Sequence, residues 1–296
     1  MQQYPLGEIV IQRVVESVCK DFAPLGFFPE TTPADWAQHR KWMEPRALDP
    51  VSGNLVLIIQ AFLVRTRHHT ILVDTCVGDH KSRPHRPFWH MQKLDTFLPR
   101  LAAAGVNPED VDYVMCTHLH SDHVGWNTQL RDGRWVPTFP NAKYIFAQEE
   151  WENWEQLHAR EPQQQLIDSV LPVMAAGQAQ LVRSDFALDD EVWLEPTPGH
   201  TQGHVSIRLA SAGAQAIITG DCIHSPVQCL APEWIMRADV DPILAGSTRK
   251  RAHLCSDRAQ RTPRPICHVS WKRSFRSLRP WPRLDGDRRR RGECAD

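Results

Sequence analysis

The sequence predicts a mixed α/β domain, and three observations carry that reading. Val/Ile-rich segments with partial alternation recur through the first 220 residues and read as strands. A strand–helix–strand order spans 69–118, and a second strand–helix pair spans 141–158. Hydrophobic residues make up 42% and charged residues 23%, ordinary values for a globular chain, and 296 residues suffice for one large core.

Residues 8–18 and 54–65 are predicted strands, and the proline- and aromatic-rich stretch between them an irregular loop with a short helix around Trp36–Trp42. Segment 69–75 is an apolar strand ending in aspartate. Leu94, Leu98 and Leu101 lie at helical spacing ahead of Gly105, which predicts a helix over 91–105. Strand 110–118 follows, then strand 141–148, a helix directly after it, and a further helix over 163–176. Short strands are expected near 179–183, 191–195, 203–210 and 215–220.

Composition narrows the partners. No apolar run is long enough to cross a bilayer, and the first residues lack a basic segment followed by an apolar one, so the expected compartment is the cytoplasm. The eight cysteines form no CxxC pair and are expected to be reduced, mostly buried thiols. Residues 1–246 carry 19 Lys and Arg against 30 Asp and Glu, whereas 247–296 carry 15 against 5. That shift places an expected boundary near residue 246, with a basic, Arg/Pro-rich, disordered tail beyond it.

The chemistry concentrates in T-H-L-H-S-D-H at 117–123. In an extended segment residues two apart face one side, so His118 and His120 can reach one metal. Asp122 and His123 diverge and suit a second metal beside it. His200, in the Gly-rich turn PTPGHTQGH (196–204), can be presented to the same place, and Asp221 ends the apolar strand of AIITGDCIH. A carboxylate there can bridge two ions through its two oxygens. Nitrogen and oxygen donors without thiolate suit two divalent ions, zinc first, with iron or manganese open.

With VDT (73–75), THLHSDH (117–123), PGHTQGH (198–204) and GD (220–221) in this order, the chain resembles the metallo-β-lactamase family over about residues 50–246. The resemblance implies a four-layer αββα sandwich. It also implies a first metal on His118, His120 and His200, a second on Asp122 and His123, a bridging Asp221, and Asp74 as an orienting group behind the site. Segment GDCIHSPVQ is similar to the methyl-parathion-hydrolase-like and quorum-quenching-lactonase-like branch, in which His224 would face the substrate. His204 is expected to pack or hydrogen-bond behind His200.

The implied activity is hydrolysis of a small-molecule lactone, ester or phosphoester by a metal-bridging hydroxide. Asp122 would handle the proton, and His224 would donate to the developing oxyanion. No G-x-S-x-G elbow competes with that reading. The loop 22–48, with Phe22, Phe27, Phe28, Trp36 and Trp42, is a possible lid, which would favour a substrate with an apolar part. A homodimer is left open. Nuclease action, a mononuclear-iron glyoxalase-like or sulfur-dioxygenase-like reaction, and a non-catalytic metal-binding role are the alternatives. The acidic body speaks against a nucleic-acid partner. His268 falls about where the family carries a further ligand, but its neighbours do not match.

Overall fold

The computed structural model describes residues 3–251 and the backbone of 264–266. Two sheets stack face to face. The first has seven strands: β1 (Gln3–Leu6), β2 (Ile9–Phe22), β3 (Leu55–Arg65), β4 (Thr70–Val73), β5 (Tyr113–Met115), β8 (Lys143–Ala147) and β9 (Ala179–Val182). Its first four pair antiparallel, and β4, β5, β8 and β9 run parallel. The second sheet comprises β10 (Val192–Pro196), β11 (Val205–Ser211), β12 (Ala214–Ile218) and β13 (Arg264–Ile266). A separate hairpin joins β6 (Thr128–Arg131) to β7 (Arg134–Pro137).

Alternation along the strands builds the layers, because successive side chains point to opposite faces. On β3, Phe62 and Val64 meet Ile207, Leu209 and Ile218 of the second sheet in the core between the sheets. Their neighbours Ala61 and Leu63 face the other way, toward Phe97, Leu101 and Trp151. Those residues belong to α3 (Phe97–Ala103) and α4 (Gln148–Arg160), and α5 (Leu171–Ala175) packs with them after a π-helical turn at Leu166–Val170. On β12, Ile217 points outward to Phe28, Trp36 and Met43. The first two helices, α1 (Pro24–Phe27) and α2 (Pro33–Met43), therefore cover the second sheet. Helix layers flank both sheets, which is the expected αββα sandwich.

Several expectations need correction. The aromatic residues of 22–48 are mostly core, not a roof over an open pocket: Phe27, Phe28 and Trp36 are buried, and α2 begins with a Thr32–Asp35 capping box. The helix expected over 91–105 is confined to 97–103, because Met91 and Asp95 adopt positive φ and Pro99 fits only in a first turn. The shift near residue 246 falls inside α6 (Pro242–Arg251). Three residues of the tail expected to be disordered, Arg264–Ile266, pair in parallel with Ala216–Ile218, covering backbone groups that would otherwise face out from the sheet edge. Cys19, Cys76 and Cys116 are free and buried, and Cys222 is buried, but Cys229 is disulfide-bonded; sequence spacing does not show which distant chain segments meet. Among the described residues no helix is long and apolar enough to cross a membrane.

Candidate metal centre

The parallel strands β4 and β5 end at one edge of the sandwich, where loops from both sheets converge. Asp74 follows β4, the 117–123 loop follows β5, the 197–204 turn joins β10 to β11, and 219–224 follows β12. Of the predicted residues, His118, His123, His200, Asp221 and His224 are buried, while His120 and Asp122 are partly exposed and mark the open side.

Three donor groups converge here: two share the Asp221 carboxylate, and a third, His200, His224 and Asp239, overlaps them at His200. His118, His120, His200 and Asp221 form the first; Asp122, His123 and Asp221 form the second. His120 Nδ1 lies 3.0 Å from His118 Nε2 and 2.9 Å from His200 Nε2. Asp221 Oδ2 lies 3.4 Å from His200 Nε2 and 3.8 Å from His118 Nε2. A tetrahedral zinc ion with bonds of about 2.0–2.1 Å needs donors roughly 3.3 Å apart, and these separations bracket that value. The other oxygen, Asp221 Oδ1, lies 3.3 Å from His123 Nε2, which is 3.7 Å from Asp122 Oδ2. Burial drives His118 and His120 well below the usual histidine range, helped by neighbouring imidazoles, so both present lone pairs. Burial also pushes His123 down, but Asp221, Asp74 and Asp122 outweigh it and raise the group well above its ordinary value.

Behind the donors lies a set of fixed partners. Asp74 accepts the Thr117 amide at 2.8 Å through Oδ1 and meets His123 Nδ1 at 2.9 Å through Oδ2, as its expected orienting position requires. His204 Nε2 accepts the Asp221 amide at 3.1 Å, which puts the ring proton on Nδ1, 2.8 Å from Thr197 Oγ1. His204 thus backs Asp221 rather than His200. Burial and the nearby His200 lower it to about 3, so it stays neutral in that role. His224 joins the cluster, with Nε2 3.3 Å from Asp221 Oδ2, but both ring nitrogens are shielded beneath Phe27 and beside His200. The expectation that it faces the substrate does not match that placement.

Two site residues escape a reading of the sequence. Glu150, in the first turn of α4, accepts the Leu119 amide and the Trp154 indole through Oε1. Its Oε2 takes the Thr201 hydroxyl and the Gly203 amide. One carboxylate thereby fastens the 118–120 loop to the 200–204 turn. Gly203 is required there, since a Cβ would lie 2.1 Å from the Glu150 nitrogen. The second is Asp239, whose Oδ1 lies 3.0 Å from His200 Nδ1. Nothing local marks either: Glu150 is one of several acids in the stretch 148–155, and Asp239 is one of two in 238–241. His268 lies outside the described residues.

The chain was compared with known proteins. Residues 55–278 match the metallo-beta-lactamase superfamily. An N-acyl homoserine lactonase of Bacillus cereus is 28% identical over 168 residues, 53% of this chain and 60% of that protein. A Bacillus thuringiensis enzyme of the same name is 27% identical over 217 residues, 69% of this chain and 78% of its own. The chain thus spans less than two thirds of the Bacillus cereus relative's length. Among solved structures, a probable metal-dependent hydrolase from Staphylococcus aureus superposes with a TM-score of 0.70 at 20% identity, over 84% of this chain and 85% of that one. AidC, described as a dizinc quorum-quenching lactonase, gives 0.66 at 20% identity, over 84% of each chain. These structural likenesses show the fold. With the family match covering most of the chain, the four ordered motifs and the two-sheet sandwich have one reading: this chain belongs to the metallo-β-lactamase superfamily.

Proposed function

We propose that the chain is a metal-dependent hydrolase of small lactones, esters or phosphoesters, and that N-acyl homoserine lactones are the class it fits best. The observation that carries the reading is Asp221, whose two oxygens face two different donor groups 3.3–3.8 Å away. His118, His120 and His200 would hold one divalent ion, Asp122 and His123 a second, with Asp221 between them. Ions bound there, zinc for this donor set, lower the pKa of water and polarise a carbonyl or phosphoryl oxygen.

The chain's own residues supply the rest. Asp122, on the open side, takes the proton from the attacking water and hands it to the departing oxygen. His204 holds the Asp221 backbone through its amide, and His224 stands beside one of its oxygens, Oδ2, at 3.3 Å. The substrate's apolar part would rest on Phe88, 41% exposed, the outer end of a packed row of rings: Phe88 stands edge-on to Phe22, Phe22 to Phe27, and Phe27 to His224, at successive centroid distances of 5.5, 5.5 and 5.6 Å. The names of the Bacillus relatives support the same substrate class.

The test is a panel of N-acyl homoserine lactones of graded chain length, aryl esters and phosphotriesters, assayed with the zinc-loaded full chain by acid release or chromophore. Turnover is expected on lactones, lost on chelation and restored by zinc. Two bound ions without turnover on any member would replace this reading with the non-catalytic one.

A further inference from the structure

We propose that Asp239 is a positioning residue for the first metal through His200, held in place by Arg249 of helix α6. The inference rests on the metal reading above and names a residue that reading does not contain. His200 has two ring nitrogens. Nε2 points into the first donor group, 2.9 Å from His120 Nδ1, and Nδ1 meets Asp239 Oδ1 at 3.0 Å. A carboxylate on Nδ1 fixes the proton there, leaves the Nε2 lone pair for a cation and raises its basicity.

Asp239 is itself pinned. Its side chain is fully buried, and Oδ2 accepts the Met236 amide at 3.1 Å. The Arg249 Nη1 lies 3.5 Å from that same oxygen. Arg249 is also nearly fully buried and donates to the carbonyls of Pro232 and Trp234 at 2.8 and 2.9 Å. The backbone makes the same connection: the amides of Val240 and Asp241 donate to His200 and Gly199, and Thr248 donates to Pro198. Gly199 has φ +135, and a Cβ there would lie 2.3 Å from the Ala245 nitrogen, so turn and helix touch through backbone. The segment 236–249 therefore cradles His200.

The arrangement mirrors the other donor group, where Asp74 backs His123 at 2.9 Å. The first two donor groups each have one histidine with a carboxylate behind it, and the two carboxylates lie 165 residues apart in sequence. The two should thus be separable by mutation.

The experiment is a cobalt titration of the full chain, followed by visible absorption and by equilibrium dialysis, on the wild type, Asp239→Asn and Asp74→Asn. Asp239→Asn should fold, weaken the first cobalt site roughly tenfold to a hundredfold and shift its ligand-field bands, with the second site changed less than threefold. Asp74→Asn should weaken the second site by a similar factor and also the first site, though less, since Asp74 accepts the Thr117 hydroxyl that lies 3.0 Å from His118 Nδ1. Equal weakening of both sites by Asp239→Asn, or a lower melting temperature with both sites unchanged, would overturn the inference and leave Asp239 a packing residue. If Asp239→Asn does not fold, NMR of the zinc-loaded wild type labelled with 15N-histidine decides. A His200 proton on Nδ1, at low field and slow to exchange, is expected; a proton on Nε2 overturns the proposal. A wild type that takes up no cobalt would instead refute the metal reading on which the inference rests.

Discussion

Removing the Glu150 carboxylate in two ways gives a graded test of how the two histidine-bearing loops are fastened. Four donors meet it: the Leu119 amide at 2.9 Å, the Trp154 indole at 2.7 Å, the Thr201 hydroxyl at 2.7 Å and the Gly203 amide at 3.2 Å. Glu150→Ala orphans all four. Each buried donor without a partner costs roughly 1–3 kcal/mol, but water entering the space and relief from burying a charge offset part, for a net loss of about 3–5 kcal/mol. The relief is real, because burial pushes Glu150 above the ordinary carboxylate range despite its four donors. Glu150→Gln behaves differently. Its oxygen can keep Leu119 and Trp154, and its amide can donate to a rotated Thr201 hydroxyl, so only the longest bond, to Gly203, is lost. That change should cost about 1–2 kcal/mol.

At about 2–4 °C per kcal/mol for a chain of this size, Glu150→Ala should lower the melting temperature by about 6–20 °C and Glu150→Gln by about 2–8 °C. Circular dichroism on the zinc-loaded proteins measures both. The order matters more than the values. Equal losses, or a Gln variant worse than the Ala variant, would refute the assignment of donors and acceptors. A Glu150→Ala protein that melts like the wild type would refute the fastening itself.

Other consequences follow from the same contacts. His118→Ala or His120→Ala should lower bound metal and abolish hydrolysis, by metal analysis and lactone assay; full metal content and activity in either would sink the two-ion assignment. Among the described residues the first donor group has four members and the second three, so graded chelation should release one ion per chain well before the other. A single release step for both ions would contradict that order. Glu16 is buried behind the loop at Val77 and Gly78, and burial raises its carboxyl from 4.5 to about 7 against the opposing bonds from Val77, Trp126 and Gly78. A folded pKa above the unfolded one means a contribution that is full below about 4.5 and lost as pH rises through about 7. The stability of wild type minus Glu16→Gln should therefore fall by about 2 kcal/mol from pH 5.5 to 7 and flatten above pH 8. Urea titrations across that range would show no slope if the folded Glu16 were unperturbed.

The candidate ligands were legible because chelation by neighbours leaves a local mark. His118, His120, Asp122 and His123 lie within six residues, and His200 and Asp221 each end a recognisable strand or turn. The groups that orient them carry no such mark, since Glu150 reaches loops on either side of it in sequence and Asp239 reaches back 39 residues to His200. The strands were equally legible from Val/Ile alternation, but which side of a sheet the 22–48 aromatics would cover was not, because an apolar side chain looks the same under a lid or in a core. Asp132 and Gly133 did carry a signal that went unused: both have positive φ in the β6–β7 turn, the geometry that Asp-Gly favours in a two-residue hairpin. The 91–105 stretch misled because leucine spacing outvoted Pro99.

The charge gathered at this edge of the sandwich leads to a last prediction. Asp74, Asp122, Asp221, Glu150 and Asp239 are five carboxylates in or directly behind the donor groups, and four of them are buried. Arg249 stands beside one of them, Asp239, with Nη1 3.5 Å from Oδ2. Buried charge is expensive, and two divalent ions together with Arg249 would supply five positive charges against those five. If the ions complete that balance, they belong to the fold's stability as well as to its chemistry. An ion present at about 100–1,000 times its dissociation constant stabilises by about 2.7–4.1 kcal/mol per site. Two sites give about 5–8 kcal/mol, which at about 2–4 °C per kcal/mol is a fall of roughly 10–30 °C in melting temperature on full chelation. Substituting Asp122→Asn and Asp239→Asn together should shrink that difference, because fewer charges then depend on the ions. A chelated wild type melting within 2 °C of the loaded protein would show that the carboxylates are neutralised some other way, by protons or by water, and that the metals are dispensable to the fold.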